Sequence, residues 1–250
     1  MNTRGTADIT PEHALRVDLA AAYRTVALEG GDDGVFNHFS AAVPGAEGEF
    51  LLKPFGPLFE EVMASGLIRV DLAGRIVAGQ GMWEPTAFHI HARIHAGVPR
   101  ARCVMHTHMP YATALTSLAD MRILPITQSA MRFVGRVGYL EEYEGLVLDE
   151  DAALRLVAAH RDHDVVLMAS HGVSVIGRDV AACLYDLHYL EIAARDQYLA
   201  RTMGAPLRPV APDVVARAVG QMVTERETSA AVHLAAMKRR LDRLLPGYAA

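Results

Sequence analysis

Residues 88–115 read FHIHARIHAGVPRARCVMHTHMPYATAL, and a helix, a strand and a second helix follow one another there. Thr86–Ala96 has helical character, and Ala101–His106 is an apolar strand-like run. Pro110–Leu118 returns to a helix, with proline in the first turn that it favours. Residues two apart on a strand point to the same face. If the strand that begins at Ala101 continues through the histidines, the imidazoles of His106 and His108 enter one space where strand gives way to helix, a place where sites are commonly built.

Outward from this stretch the pattern stays mixed. Pro11–Glu29 carries apolar residues at helical spacing, with Thr10 as N-cap and Gly30-Gly31 as a stop. Val35–Val43, Glu49–Lys53, Leu67–Asp71 and Arg75–Val77 are β-like runs separated by turn residues, which predicts an antiparallel meander. Val165–Ala169 and Val173–Ile176 form a hairpin around His171-Gly172, and Asp179–Met203 and Pro212–Leu244 read as two long helices joined by GAPLRPVAP. Strands interleaved with helices, and then a helical C-terminal layer, predict one α/β domain over residues 1–250, with a core at about 10–205 and an extension at 206–250. No element is assigned between residues 119 and 164.

The composition limits the partners. Hydrophobic residues make up 51% of 250, enough for a sizeable core, and the formal charge of −5 without like-charge runs offers no footprint for nucleic acid or an anionic membrane. No stretch reaches the ~18 apolar residues of a membrane span. Cys103 and Cys183 lie in apolar segments, where reduced buried thiols are the ordinary state. A soluble cytoplasmic protein with a small-molecule substrate is the expectation.

A third imidazole, His171, sits in VVLMASHGVSVIG, where Gly172 lets the chain reverse. Three neutral imidazoles with an open fourth position suit catalytic zinc, iron or manganese. Spacing alone leaves the pair open to two readings, chelation or hydrogen-bonded packing, because it does not bring His171 near.

NHFSAAVPG, LKPFGPLFEEV, FHIHARIHAGVPRARCVMHTH, HTHMPYATAL and SHGVSVIGRDV, in that order, resemble the class II aldolase/adducin family over about residues 10–205. The resemblance implies an α/β/α sandwich around a largely antiparallel central sheet, a divalent metal ion (Zn, Mn or Fe) on His106, His108 and His171, and a cyclic homotetramer with active sites at subunit interfaces.

The chain also departs from the family's pattern. Where the sugar-phosphate aldolases carry a Pro-Ser-Ser-Glu segment with an acid/base glutamate, Ala87 stands in the glutamate's place. The nearest carboxylate is Glu84, which either substitutes as the catalytic acid/base or serves a helix N-terminus. Asp32, Asp33, Phe55 and Pro85 replace much of the polar phosphate lining, which implies a substrate without phosphate. His38, Phe55 and Gln128 are candidate substrate contacts. His91 and His95, i and i+4 neighbours on a helix, either bind metal themselves or, as the resemblance implies, serve as core or supporting residues; Tyr143 reads as pocket lining or packing, and Trp83 as packing near the pocket rim. The expected function is a metal-dependent carbon–carbon lyase, either a decarboxylase or an aldolase. It would act on a small hydroxy or oxo acid, aromatic ones included, through a metal-stabilised enolate or carbanion. The alternatives are a non-haem iron oxygenase and a non-catalytic adducin-like interaction domain.

Overall fold

Thr10 starts the first helix as expected: its Oγ1 accepts the backbone N–H of His13 at 3.2 Å, and Pro11 occupies the first turn of α1, Pro11–Leu28. The structure is a computed structural model and describes residues 10–148 and 150–250. Eight strands follow: β1 (His38–Ala42), β2 (Glu49–Leu52), β3 (Ile68–Asp71), β4 (Ile76–Ala78), β5 (Cys103–Thr107), β6 (Val137–Leu140), β7 (Val165–Met168) and β8 (Gly172–Gly177). They form one sheet in the order β4-β3-β2-β1-β5-β8-β7-β6, antiparallel at every pairing except β6 with β7.

The helices α2 (Pro85–Gly97), α3 (Pro110–Thr116), α4 (Gln128–Met131), α5 (Glu150–Asp162), α6 (Val180–Thr202) and α7 (Pro212–Leu244) cover both faces. Strand alternation sorts the core into two layers. Phe39, Ala41, Met105, Leu167 and Val175 face α1, α3, α6 and α7, whereas Val104, Val166 and Ile176 face α2 and α5. The expected α/β/α sandwich is therefore present, and each layer removes a continuous apolar surface from water. His38, Ser40, His106 and Ser174 share the parity of the second layer, so polar groups line the sheet beneath α2 and α5.

Three parts differ from the sequence expectation. β1 begins at His38 rather than Val35, because Gly34 and Asn37 adopt positive φ (55° and 65°) and fold residues 33–37 into a turn. β5 ends at Thr107, so His108 lies just beyond the strand. The unassigned segment holds α4, β6 and α5, and β6 joins the sheet by the parallel pairing with β7 that α5 connects.

α7 is tied to the core through charge. Asp186 of α6 is fully buried, receives Arg136 Nη2 at 2.6 Å, and also pairs with Arg226 of α7. Removing that carboxylate leaves a largely buried guanidinium short of its partner, and the remaining pair of Arg136 with Asp164 at 2.8 Å limits the loss. Asp186→Ala is expected to lower unfolding free energy by about 3 kcal/mol. Urea titration at neutral pH measures this, and a change under about 1 kcal/mol would show that the network carries no net stability.

Candidate metal centre

The end of β5 and the β7–β8 turn bring three imidazoles together. Ring centroids of His106, His108 and His171 lie 4.9, 4.8 and 5.0 Å apart pairwise, close to an equilateral triangle, and their ligand nitrogens fall within 4.8 Å of one another. Gly172 permits this approach: a Cβ there would lie 2.5 Å from the Thr107 carbonyl oxygen and 2.9 Å from His108 Cδ2. Ser170, at φ 53°, completes the sharp reversal that presents His171.

The outer ring nitrogens decide what the inner ones can do. His106 Nδ1 donates to the Val173 carbonyl oxygen at 3.0 Å, and His108 Nδ1 donates to Asp33 Oδ2 at 2.9 Å. Both acceptors lack protons, so in neutral rings both Nε2 atoms are bare lone pairs. Those two atoms stand 3.1 Å apart, an arrangement that repels unless a cation lies between them. Nitrogens at 2.0–2.1 Å from one tetrahedral ion are separated by roughly 3.3 Å. A proton is a poor substitute, because burial first and His38 next hold the His106 imidazole well below the usual histidine range. Burial, followed by His108, also pushes His171 down to about 4. The donor set thus fits a divalent metal ion, and hydrogen bonds to the Val173 carbonyl and the Asp33 carboxylate orient it. Asp33→Ala is expected to weaken zinc affinity about 10- to 100-fold, readable by chelator competition; unchanged affinity would remove Asp33 from this role.

Other residues complete the surroundings. His38 pairs in register with His106 across β1 and β5, with ring centroids 4.9 Å apart, and burial first and Lys53 second lower its imidazole to about 3. Asn37 Oδ1 accepts the backbone N–H of His108 at 3.0 Å, while its buried Nδ2 has no partner among the described residues. Asn37 opens the NHFSAAVPG segment, and the tolerance of asparagine for positive φ suits it to this turn. Phe36, in the same turn as Asp33, lies 6.0 Å from Phe55, and both rings are exposed. Tyr143 is 6.4 Å from His171 and shares with it a cleft of about 370 Å³, together with Glu142, Arg155 and Met168.

Glu84, Gln128 and Trp83 make their contacts outside the three-histidine cluster. Glu84 is the N-cap of α2: its Oε2 accepts the Ala87 N–H at 2.8 Å and the Thr86 hydroxyl, and no hydrogen bond joins it to the three histidines. Gln128 begins α4 and lines a groove with Met131, Val214, Gln221 and Met222 on the α7 side. Trp83 donates to the Gly74 carbonyl oxygen and stacks on Phe88, against the β3–β4 turn. Cys103 and Cys183 are free and buried, as expected. Asp33, which the sequence offers only as a charge unfriendly to phosphate, is also the carboxylate that orients His108.

A mostly antiparallel α/β/α sandwich with three converging imidazoles at a strand end defines an aldolase-type fold with a divalent-metal cradle. The chain belongs to the class II aldolase and adducin family, and residues 17–198 match the family described as Class II Aldolase and Adducin N-terminal domain. An aldolase II superfamily protein from Pseudomonas syringae has a similar crystal structure, with a TM-score of 0.88, 36% identity and 96% coverage of both chains. A Caulobacter vibrioides protein whose name assigns it to aldolase class 2 is 34% identical over 95% of this chain and 93% of its own length. Two Streptomyces enzymes are also similar. Decarboxylase NovR of Streptomyces niveus is 30% identical over 86% of this chain and 80% of its own. The 4-hydroxy-3-prenylphenylpyruvate oxygenase/4-hydroxy-3-prenylbenzoate synthase of Streptomyces roseochromogenus is 31% identical over 86% and 78%. Among the described residues no helix is long and apolar enough to cross a membrane.

Proposed function

We propose that this chain is a divalent-metal-dependent carbon–carbon lyase, a decarboxylase in preference to an aldolase, acting on a small non-phosphorylated hydroxy or oxo acid. The observation that carries the reading is the convergence of His106, His108 and His171, with the Nε2 atoms of His106 and His108 3.1 Å apart and all three sets of ligand nitrogens within 4.8 Å. A divalent ion bound there supplies Lewis-acid polarisation of substrate oxygen and holds negative charge released as the carbon–carbon bond breaks.

The surrounding residues set the substrate and the reaction. Tyr143 presents an exposed ring to the cleft that it shares with His171, and Phe36, paired with Asp33 in the turn that reaches His108, presents another beside Phe55, which favours a substrate with an aromatic or other apolar portion. Asn37 Nδ2 offers a buried donor for a substrate oxygen, and the His38 ring packs against that of His106. Asp33 carries its charge at the mouth of the site, against a phosphate dianion. Glu84 is the carboxylate assigned to proton transfer, through Oε1, since Oε2 takes both hydrogen bonds of the helix cap. Decarboxylation needs no base to deprotonate an alcohol, only later protonation of carbon, so it suits a site with alanine at position 87. Gln128, on the α7 side, is a substrate contact only if a neighbouring subunit brings it to a cleft, as in the homotetramer that we propose. The buried free thiols fit a cytoplasmic setting.

The name of the Streptomyces roseochromogenus relative supports a second reading, an iron oxygenase on the same three histidines. Protein loaded separately with zinc, manganese or ferrous ion and screened against hydroxy and oxo acids distinguishes them. Carbon dioxide release without oxygen uptake is the expected result, and oxygen uptake stoichiometric with turnover on iron would establish the second reading. Tight binding of phosphoglycolate analogues would overturn the non-phosphorylated substrate.

A further inference from the structure

Beside the three imidazoles, on the face of the sheet covered by α2, four side chains form one hydrogen-bonded chain. His38 Nδ1 is 2.7 Å from His91 Nε2, His91 Nδ1 is 2.5 Å from Ser40 Oγ, Ser40 Oγ is 2.7 Å from His95 Nε2, and His95 Nδ1 is 2.8 Å from the Ala101 carbonyl oxygen. Neither Ser40 nor His91 is accessible to water, so no solvent relieves a mismatch along the chain.

The last link fixes the direction of all the others. A carbonyl only accepts, so His95 Nδ1 carries the proton of that ring and, in a neutral imidazole, His95 Nε2 is an acceptor. Ser40 has one hydroxyl proton and gives it to His95; its oxygen then accepts from His91 Nδ1. That leaves His91 Nε2 as an acceptor, and it takes its hydrogen bond from His38 Nδ1. Reversing any link would put a second proton on one of these rings, and burial disfavours the charged form of both His91 and His95. His38 Nε2 is therefore bare. It has no hydrogen-bond partner among the described residues, and its ring packs 4.9 Å from that of His106.

We propose that this chain makes His38 the specificity-determining residue of the site: its Nε2, locked as an acceptor, receives a hydrogen bond from a substrate hydroxyl, so that 2-hydroxy acids are taken in preference to the matching 2-oxo acids. A ketone oxygen in the same place meets a lone pair and gains nothing. Ser40, His91 and His95 are positioning residues that act through His38. The inference rests on the reading of His106, His108 and His171 as a metal centre.

Ser40→Ala removes the middle link at little cost in shape. His91 is then free to take the other tautomer and donate from Nε2 to His38 Nδ1, which places the His38 proton on Nε2 and turns the acceptor into a donor. Ser40→Thr keeps the hydroxyl and serves as the conservative control. Two measurements test this on the full chain. Long-range proton–nitrogen NMR of the metal-free protein reads which nitrogen of His38 bears the proton: Nδ1 in the wild type and Ser40→Thr, Nε2 in Ser40→Ala. Calorimetry on zinc-loaded protein compares mandelate with benzoylformate. The wild type and Ser40→Thr are expected to favour mandelate about tenfold, the worth of one hydrogen bond, and Ser40→Ala to lose or reverse that preference. A wild-type His38 protonated at Nε2, or a mandelate preference untouched by Ser40→Ala, overturns the proposal. Failure of the wild type to take up zinc counts against the metal-centre reading alone, whereas zinc uptake with equal affinity for the two acids counts against the role of His38.

Discussion

His171→Ala and His106→Gln are each expected to reduce bound divalent metal from about one ion per chain to a small fraction, and to lower turnover of any carbon–carbon cleavage by about 10³-fold or more. Each variant removes one of three imidazoles whose lone pairs converge within 4.8 Å. The two rings that remain cannot enclose the ion, and the Lewis acid, worth several kcal/mol to the transition state, goes with it. The two substitutions probe different positions. His171 sits in a half-buried turn, where truncation leaves little cavity, whereas His106 is buried in β5, so glutamine is the milder choice. Elemental analysis of untagged protein, with circular dichroism to show that the fold persists, reads the result. Stoichiometric metal in both folded variants would place the ion elsewhere.

Acid lability is the second large effect. His160 is fully buried, with Nε2 on Ser174 Oγ at 2.8 Å and Nδ1 on the His163 carbonyl oxygen, and burial lowers its imidazole to about 4. His91 is lowered too, again mainly by burial. Unfolded, each ring titrates near 6.5, so between pH 6.5 and 4 the unfolded chain binds more protons and stability rises with pH. The contribution is complete above pH 6.5 and is lost as the pH falls toward 4. For His160 alone the loss is about 3 kcal/mol, and His91 adds in the same direction. Urea unfolding of metal-free protein at pH 7, 5.5 and 4.5 should show this decline, with a shallower slope in His160→Asn. A flat profile down to pH 4.5 would mean that these rings already carry protons in the folded state.

How much the sequence showed depended on whether a signal was local. The ends of α1, α6 and α7 were legible because Thr10, Asp179 and Pro212 act within one turn. The β7–β8 hairpin and the HxH pair were legible for the same reason. β6 was not, because its pairing with β7 depends on a crossover rather than a turn, and Gly138 interrupts its short run. α5 was within reach: Ala153, Leu156, Val157 and His160 follow helical spacing and are buried. In the site, the grouping of His106, His108 and His171 followed from motif and resemblance, but the contacts around it did not. The role of Asp33 depends on which ring nitrogen it faces, and the linkage of His38, His91, Ser40 and His95 depends on how α2 packs on β1, and spacing encodes neither of these. Glu84 illustrates the converse: its position next to Pro85 was read as either acid/base or helix cap, and the structure places it on the Ala87 N–H.

X-ray absorption spectroscopy of untagged wild-type protein, loaded with zinc or manganese and dialysed, tests the metal centre most directly. The result expected is about one ion per chain with three imidazole nitrogens in its coordination shell, at roughly 2.0–2.1 Å for zinc, and loss of that imidazole signal in His171→Ala. A fully folded wild-type protein that retains no stoichiometric metal, or one whose bound ion shows no imidazole scattering, would contradict it.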